Sequence, residues 1–184
     1  MLRIFLLIGL AWTLVACQTA PAPRDYDQSR DFTRYRTWTW AEPAVVYRPA
    51  DDPRIQSDLT TQRIREAVSG QLDARGLRPA QPGVEPDLQV RAYMMIDQRQ
   101  DNVTTSYGRS PVWGVWAVDP LYTETRSVHY QVATLQLDLL DARDGQLVWR
   151  GSTSDIVRDR QQTPAERSTS IFTMVRQILD GYPP

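Results

Sequence analysis

Few residues in this chain of 184 can do chemistry. There is one histidine, His129, and one cysteine, Cys17, and all 21 basic side chains are arginine. Without lysine there is no Schiff-base nucleophile and no lysine to grip a nucleotide phosphate. One histidine cannot build a histidine-rich metal site, and no independent base accompanies a serine or thiol nucleophile. His129 stands beside Tyr130 in a stretch with strand character and reads as a half-exposed sheet histidine. Asp138, Asp141 and Asp144 fall close together, which is the spacing at which carboxylates can share a metal or a proton. A turn explains Asp141 and Asp144, and a solvated strand face explains Asp138. The expectation is therefore no catalytic residue, no metal and no cofactor. What remains is a set of interaction-prone side chains, Tyr107, Arg109, Trp113, Trp116 and Tyr122, in one stretch. Tyr, Trp and Arg are over-represented in binding hot spots, so these five are candidate contacts for a partner. The alternative is a lid, with the rings folded back over one end of a sheet.

Cys17 belongs to a different chemistry. Met1 to Arg3 is a short basic start, and Ile4 to Val15 is apolar apart from Gly9 and Thr13. That run is shorter than the roughly 20 residues a spanning helix needs, and it has the proportions of a signal-peptide core. It ends in Leu14-Val15-Ala16-Cys17, which resembles a bacterial lipobox. On that resemblance residues 1–16 are a signal peptide and Cys17 is the lipidation site. Acyl chains, at about 0.8 kcal/mol per buried CH₂, would hold the protein on a membrane without a spanning helix. Gln18 in place of Asp after the cysteine favours the outer membrane by the enterobacterial sorting rule. Residues 17–23 then form a short proline-rich lipidated tether, and residues 24–184 a single domain.

The elements that must position these residues are legible in the apolar periodicity. Leu135, Leu137 and Leu139 alternate with polar neighbours, Asp141 to Gly145 supplies turn residues, and Leu147 and Trp149 resume the alternation against Val148 and Arg150. This predicts a β-hairpin whose apolar face needs covering. Asp87 to Asp97 predicts a strand with Leu88, Val90, Ala92, Met94 and Ile96 on one side. Arg24 to Asp27 reads as a small additional edge strand; Arg36 to Trp40 predicts another strand, with Trp38 and Trp40 on one face, and Ala41 to Asp52 reads as loop because of Pro43 and Pro49. Ser127 to Ala133 predicts a strand whose parity changes near Thr134, where a bulge or bend is expected. Helices are predicted over Ile55 to Arg75, from Ile64, Ala67, Val68 and Leu72, and after Thr163, where Pro164 and Glu166 complete a capping box. Residues 98–126 read as one long connection, which in a compact domain is functional, self-paired or disordered.

Composition narrows the class. A formal net charge of −1 gives no electrostatic case for nucleic acid. The predicted fold is α+β: a two-layer sandwich of an antiparallel-rich sheet, about four strands, with two helices on one face. The sequence resembles domain of unknown function family 4136, found in bacterial lipoproteins. The resemblance rests on Tyr26-Asp27, Asp31-Phe32 through Thr37 and Trp40, Arg75-Gly76-Leu77, Pro86-Asp87-Leu88, Thr134 through Asp141, Leu147 through Gly151, and Tyr182-Pro183-Pro184. It brings no catalytic or binding residues with it. It implies a lipid-anchored, non-catalytic accessory or binding protein of the cell envelope, engaging an envelope protein or the cell wall. A carrier sheltering a lipid or other small ligand between sheet and helices is the rival reading, and an envelope hydrolase a distant third. An apolar pocket would favour the carrier.

Overall fold

The computed structural model describes residues 22–50, 52–53, 55–107, 122–157 and 162–183. Cys17 and the leader lie outside the described residues. In chain order the elements are β1 (Arg24–Tyr26), a 3₁₀ turn (Phe32–Arg34), β2 (Thr37–Arg48), α1 (Asp58–Ala74), β3 (Arg78–Pro79), β4 (Leu88–Tyr107), β5 (Tyr122–Asp141), β6 (Leu147–Val157) and α2 (Pro164–Leu179). The strands form one sheet in the order β1-β6-β5-β4-β2-β3. The α+β class and the two helices agree with the sequence reading. The strand count does not: the sheet has six strands rather than about four. Two of the six are edge strands of three and two residues: β1 falls on the stretch read as a small edge strand, and β3 is too short to carry an alternation pattern. Pairing is antiparallel for β1–β6, β4–β5 and β5–β6, and parallel for β2–β4 and β2–β3. The parallel pairs follow from α1, which carries the chain between β2 and β4 as a crossover.

One face of the sheet makes the core. Leu88, Val90, Ala92 and Met94 of β4 stand opposite Asp141, Leu139, Leu137 and Leu135 of β5. All the apolar members of these pairs are buried, together with Ile64, Val68 and Leu72 of α1 and Met174, Val175 and Ile178 of α2. Both helices therefore cover the same face. α1 starts later than the apolar pattern suggests, because Ser57 caps it by accepting a bond from the Thr60 N–H at 3.1 Å. α2 begins as its sequence predicts, with Thr163 and Glu166 capping each other reciprocally.

Three local readings are corrected. Ala41 to Arg48 is strand, not loop. Between Trp40 and Val45, five residue steps on β2 match two on β4, and Pro43 falls in that irregularity, where no ladder N–H is required of it. No bulge occurs at Ala133–Thr134; the β4–β5 register runs unbroken from Leu88↔Asp141 to Tyr107↔Tyr122. The irregularity lies instead in the β5–β6 hairpin, where Leu140 pairs with Leu147 but Leu139 pairs with Trp149. Val148 is the extra residue. It and Trp149 are both fully buried, while Leu147 is 40% exposed. The turn itself uses Gly145 at φ +70°, as a short hairpin loop demands.

Candidate functional site

Two regions gather the side chains that could act. The first is the end of the sheet around the β5–β6 turn. The Asp141 side chain is almost fully buried on the core face. One of its carboxylate oxygens accepts from the Tyr35 hydroxyl at 3.0 Å and from Arg30 Nη1 at 3.2 Å. The other accepts from the Arg143 backbone N–H at 3.0 Å. Arg30 also reaches Asp144 at 2.7 Å and Asp27 at 3.2 Å, so one guanidinium ties together three carboxylates. Burial first, and then the bond to Asp141, push the Tyr35 hydroxyl up to about 12. Asp144 is held below the usual carboxylate range by the Gln146 N–H and by Arg30. An open groove of about 320 Å³ lies over this cluster. The bonding assigns these groups to holding the 3₁₀ turn against the hairpin. Phe32 and Tyr182 reinforce that junction by edge-on ring contacts at 6.0 Å.

Asp138 is not on a solvated face. It points away from the core face but is almost fully buried, gripped by Arg150 Nε at 2.7 Å and Nη2 at 2.6 Å and by Gln136 at 3.0 Å. A bidentate pair with Arg150 covers what an alternation pattern marks as exposed. The three carboxylates are thus divided between the two faces of the sheet. Among the described residues no group of three His, Cys, Asp or Glu side chains could hold a metal.

The second region is the one the sequence marks as a long connection. Most of it is strand. β2 stops pairing with β4 at Arg48↔Met95, and β6 stops pairing with β5 at Val157↔Gln131. Beyond those points, among the described residues, β4 and β5 continue alone as a two-stranded ribbon to Tyr107↔Tyr122. Nine residue pairs at about 3.4 Å each carry this arm about 31 Å past the covered sheet. Its two faces differ. On one, Gln98, Gln100, Asn102, Thr104 and Ser106 stand opposite Gln131, His129, Ser127, Thr125 and Thr123, without a charge. Here the Thr104 and Thr125 hydroxyls lie 3.2 Å apart, and Ser127 donates to Asn102 at 2.8 Å. The other face carries Asp97, Arg99, Asp101, Glu124 and Arg126, interspersed with Val103, Val128 and Tyr130. Tyr130 donates to Asp101 at 2.7 Å. His129 is exposed on the uncharged face. Residues 98–126 escaped sequence reading because neither face of the arm is apolar there, so nothing alternates in hydrophobicity; only Ser127 to Tyr130 of the arm reads as strand. The available signal was the β-branched and aromatic content of Val103 to Tyr107 and Tyr122 to Thr125.

Of the five candidate contacts, Tyr107 and Tyr122 are brought together as the last pair of the ribbon. Arg109, Trp113 and Trp116 lie outside the described residues, on the chain segment between those two positions. Space for a ligand between sheet and helices, which a carrier would need, is occupied by the core side chains named above. An open groove of about 550 Å³ runs instead along the surface between β6 and α2, lined by polar residues such as Ser154, Thr169, Thr173 and Gln177. No helix among the described residues is long and apolar enough to cross a membrane.

Comparison with solved structures finds similar chains at low identity. A PDZ domain protein from Parabacteroides distasonis is 13% identical, with a TM-score of 0.51 over 89% of this chain. The chain spans 36% of that protein's length. A DUF4136 family protein from Bacteroides thetaiotaomicron is 15% identical, with a TM-score of 0.49 over 88% of this chain and 95% of the other. The lipoprotein GNA1162 from Neisseria meningitidis is 11% identical, covering 80% of this chain and 99% of its own, with a TM-score of 0.37. The curated proteins contain no match. At the level of sequence the profile of a domain of unknown function, DUF4136, matches residues 23–184. That match takes in most of the chain, and the chain belongs to the DUF4136 family.

Proposed function

We propose that this protein is held on the periplasmic side of the outer membrane by lipid on Cys17, and that it binds a partner rather than converting a substrate. The partner is an envelope protein or the cell wall, met by the end of the β4–β5 arm. The observation that carries this reading is the arm itself. A ribbon reaching about 31 Å beyond the core contributes none of its described residues to the apolar cluster. It brings Tyr107 and Tyr122 together at its far end, and the chain between them holds Arg109, Trp113 and Trp116. An aromatic and arginine-bearing segment carried away from the core suits recognition. The filled interior between sheet and helices supports this reading over the carrier, and the structural duties of Asp138, Asp141 and Asp144 support it over the hydrolase.

Substitution of Cys17 tests the anchorage. Cys17→Ser is expected to move the protein from the membrane to the soluble fraction, or to leave its precursor uncleaved. A substituted protein that is processed and fractionates with membranes like the parent would refute the lipid attachment.

A further inference from the structure

We propose that the outer edge of β5 in the arm is an interface to a second copy of this chain. Two arms pair there as antiparallel strands, related by a two-fold axis through Thr125. The inference goes beyond the anchoring reading and does not depend on it, because it uses only groups on the ribbon.

The edge is open. From Tyr130 out to Tyr122, β5 has β4 on one side and, among the described residues, no strand on the other. Exposed edges of this kind are usually guarded by charged side chains, lysine above all, by proline or by a bulge, and here the only charges are Glu124 and Arg126. Residues 122–130 contain neither lysine nor proline, and their register with β4 is regular.

The charges select both the partner and the register. Glu124 and Arg126 lie on the same face, two residues apart, opposite Thr105 and Val103 of β4. Neither makes an ion pair with a described residue. An antiparallel two-fold axis through Thr125 sets Glu124 opposite Arg126 of the second copy, and Arg126 opposite its Glu124. It also sets Thr123 opposite Ser127, and position 122 opposite Val128. Both charges are then matched across the new strand pair, which is where cross-strand pairs interact. An axis through Glu124 or Arg126 would oppose like charges. One through Thr123 or Ser127 would leave both unmatched.

The same test rejects the other edge of the arm. Arg99 and Asp101 on β4 would also match about an axis through Gln100. That register, however, places Thr105 of one copy opposite Met95 of the other, a position β2 already occupies through Arg48. On the β5 edge, position 131, where β6 begins, falls opposite position 119 of the second copy. That lies beyond the start of β5 at Tyr122, so the paired stretch ends before β6. The result is a continuous four-stranded ribbon, β4-β5-β5-β4. Its contact is smaller than the roughly 1,000 Å² of a stable interface, so the association is weak and best read by covalent capture.

A cysteine at the axis reads it directly. Thr125→Cys in the full chain should form a disulfide-linked dimer in membranes under oxidising conditions. Thr104→Cys, on the same face but on β4, would lie two further strand spacings from its mate and should not, since Cα atoms more than about 7 Å apart cannot be bridged. Adding Glu124→Arg to Thr125→Cys opposes like charges twice and should lower the dimer yield about tenfold. Adding Glu124→Arg and Arg126→Glu together restores complementarity and should restore the yield. Equal crosslinking of the two cysteine variants would overturn the proposal. So would a yield indifferent to Glu124→Arg in a protein with parental thermal midpoint, a charge swap that fails to rescue, or capture of a different protein by Thr125→Cys.

Discussion

Gly151 offers a sharp test of how the core is built. It lies on β6, directly beneath the indole of Trp149. A Cβ added there would come within 2.5 Å of Trp149 Cη2, 2.8 Å of Ile178 Cγ2 and 3.0 Å of Trp149 Cζ2. The ring cannot swing away, because it is fully buried and packs edge-on against Tyr182 at 5.7 Å. Gly151→Ala should therefore overpack the core at a cost of about 1–3 kcal/mol. In a domain of this size each kcal/mol lowers the thermal midpoint by about 2–4 °C, so the expected drop is about 2–12 °C. Trp149→Phe deletes the two ring atoms that collide, at the cost of a cavity of its own. In the Gly151→Ala background that second change should cost less than in the parent, with a coupling of about 0.5–3 kcal/mol. Scanning calorimetry on the four purified proteins closes the cycle. An unchanged midpoint for Gly151→Ala, or strictly additive losses, would mean that the indole does not lie over Gly151.

Two further predictions concern the sheet end and the tip of the arm. Tyr35 titrates in the folded state at about 12, above its ordinary 10, so the fold favours the neutral phenol. Its contribution to stability is complete below about pH 10 and is lost as the pH rises towards 12. The midpoint of Tyr35→Phe should fall less steeply than the parent's across that window, and identical slopes would remove Tyr35 from the alkaline transition. Replacing Trp113 and Trp116 together with Ala separates anchor from lid. As anchors they should leave the midpoint nearly unchanged and abolish crosslinking to an envelope partner, since buried interface aromatics often contribute about 2 kcal/mol or more each. A destabilised variant that still captures its partner would reject the anchor.

What the sequence by itself determined was local. The capping box of α2, the apolar stripes of both helices, the glycine turn before Gln146 and the alternation of Leu88 to Ile96 depend only on neighbours in the chain, and each appears as read. Family membership was legible for the same reason, since it is carried by short segments in a fixed order. What only the tertiary structure decided were properties set by partners distant in sequence. Asp138 looks solvated until Arg150 is brought beside it across the hairpin. Asp141 looks like a turn residue until Tyr35 and Arg30, more than 100 positions away, close over it. Most of the arm looks like a loop because its strands are stabilised by pairing with each other rather than by burial, and pairing leaves no period in the hydrophobicity of a single strand. Local propensity is written residue by residue, whereas burial of a charge and the lane next to a strand edge depend on where the rest of the chain has gone.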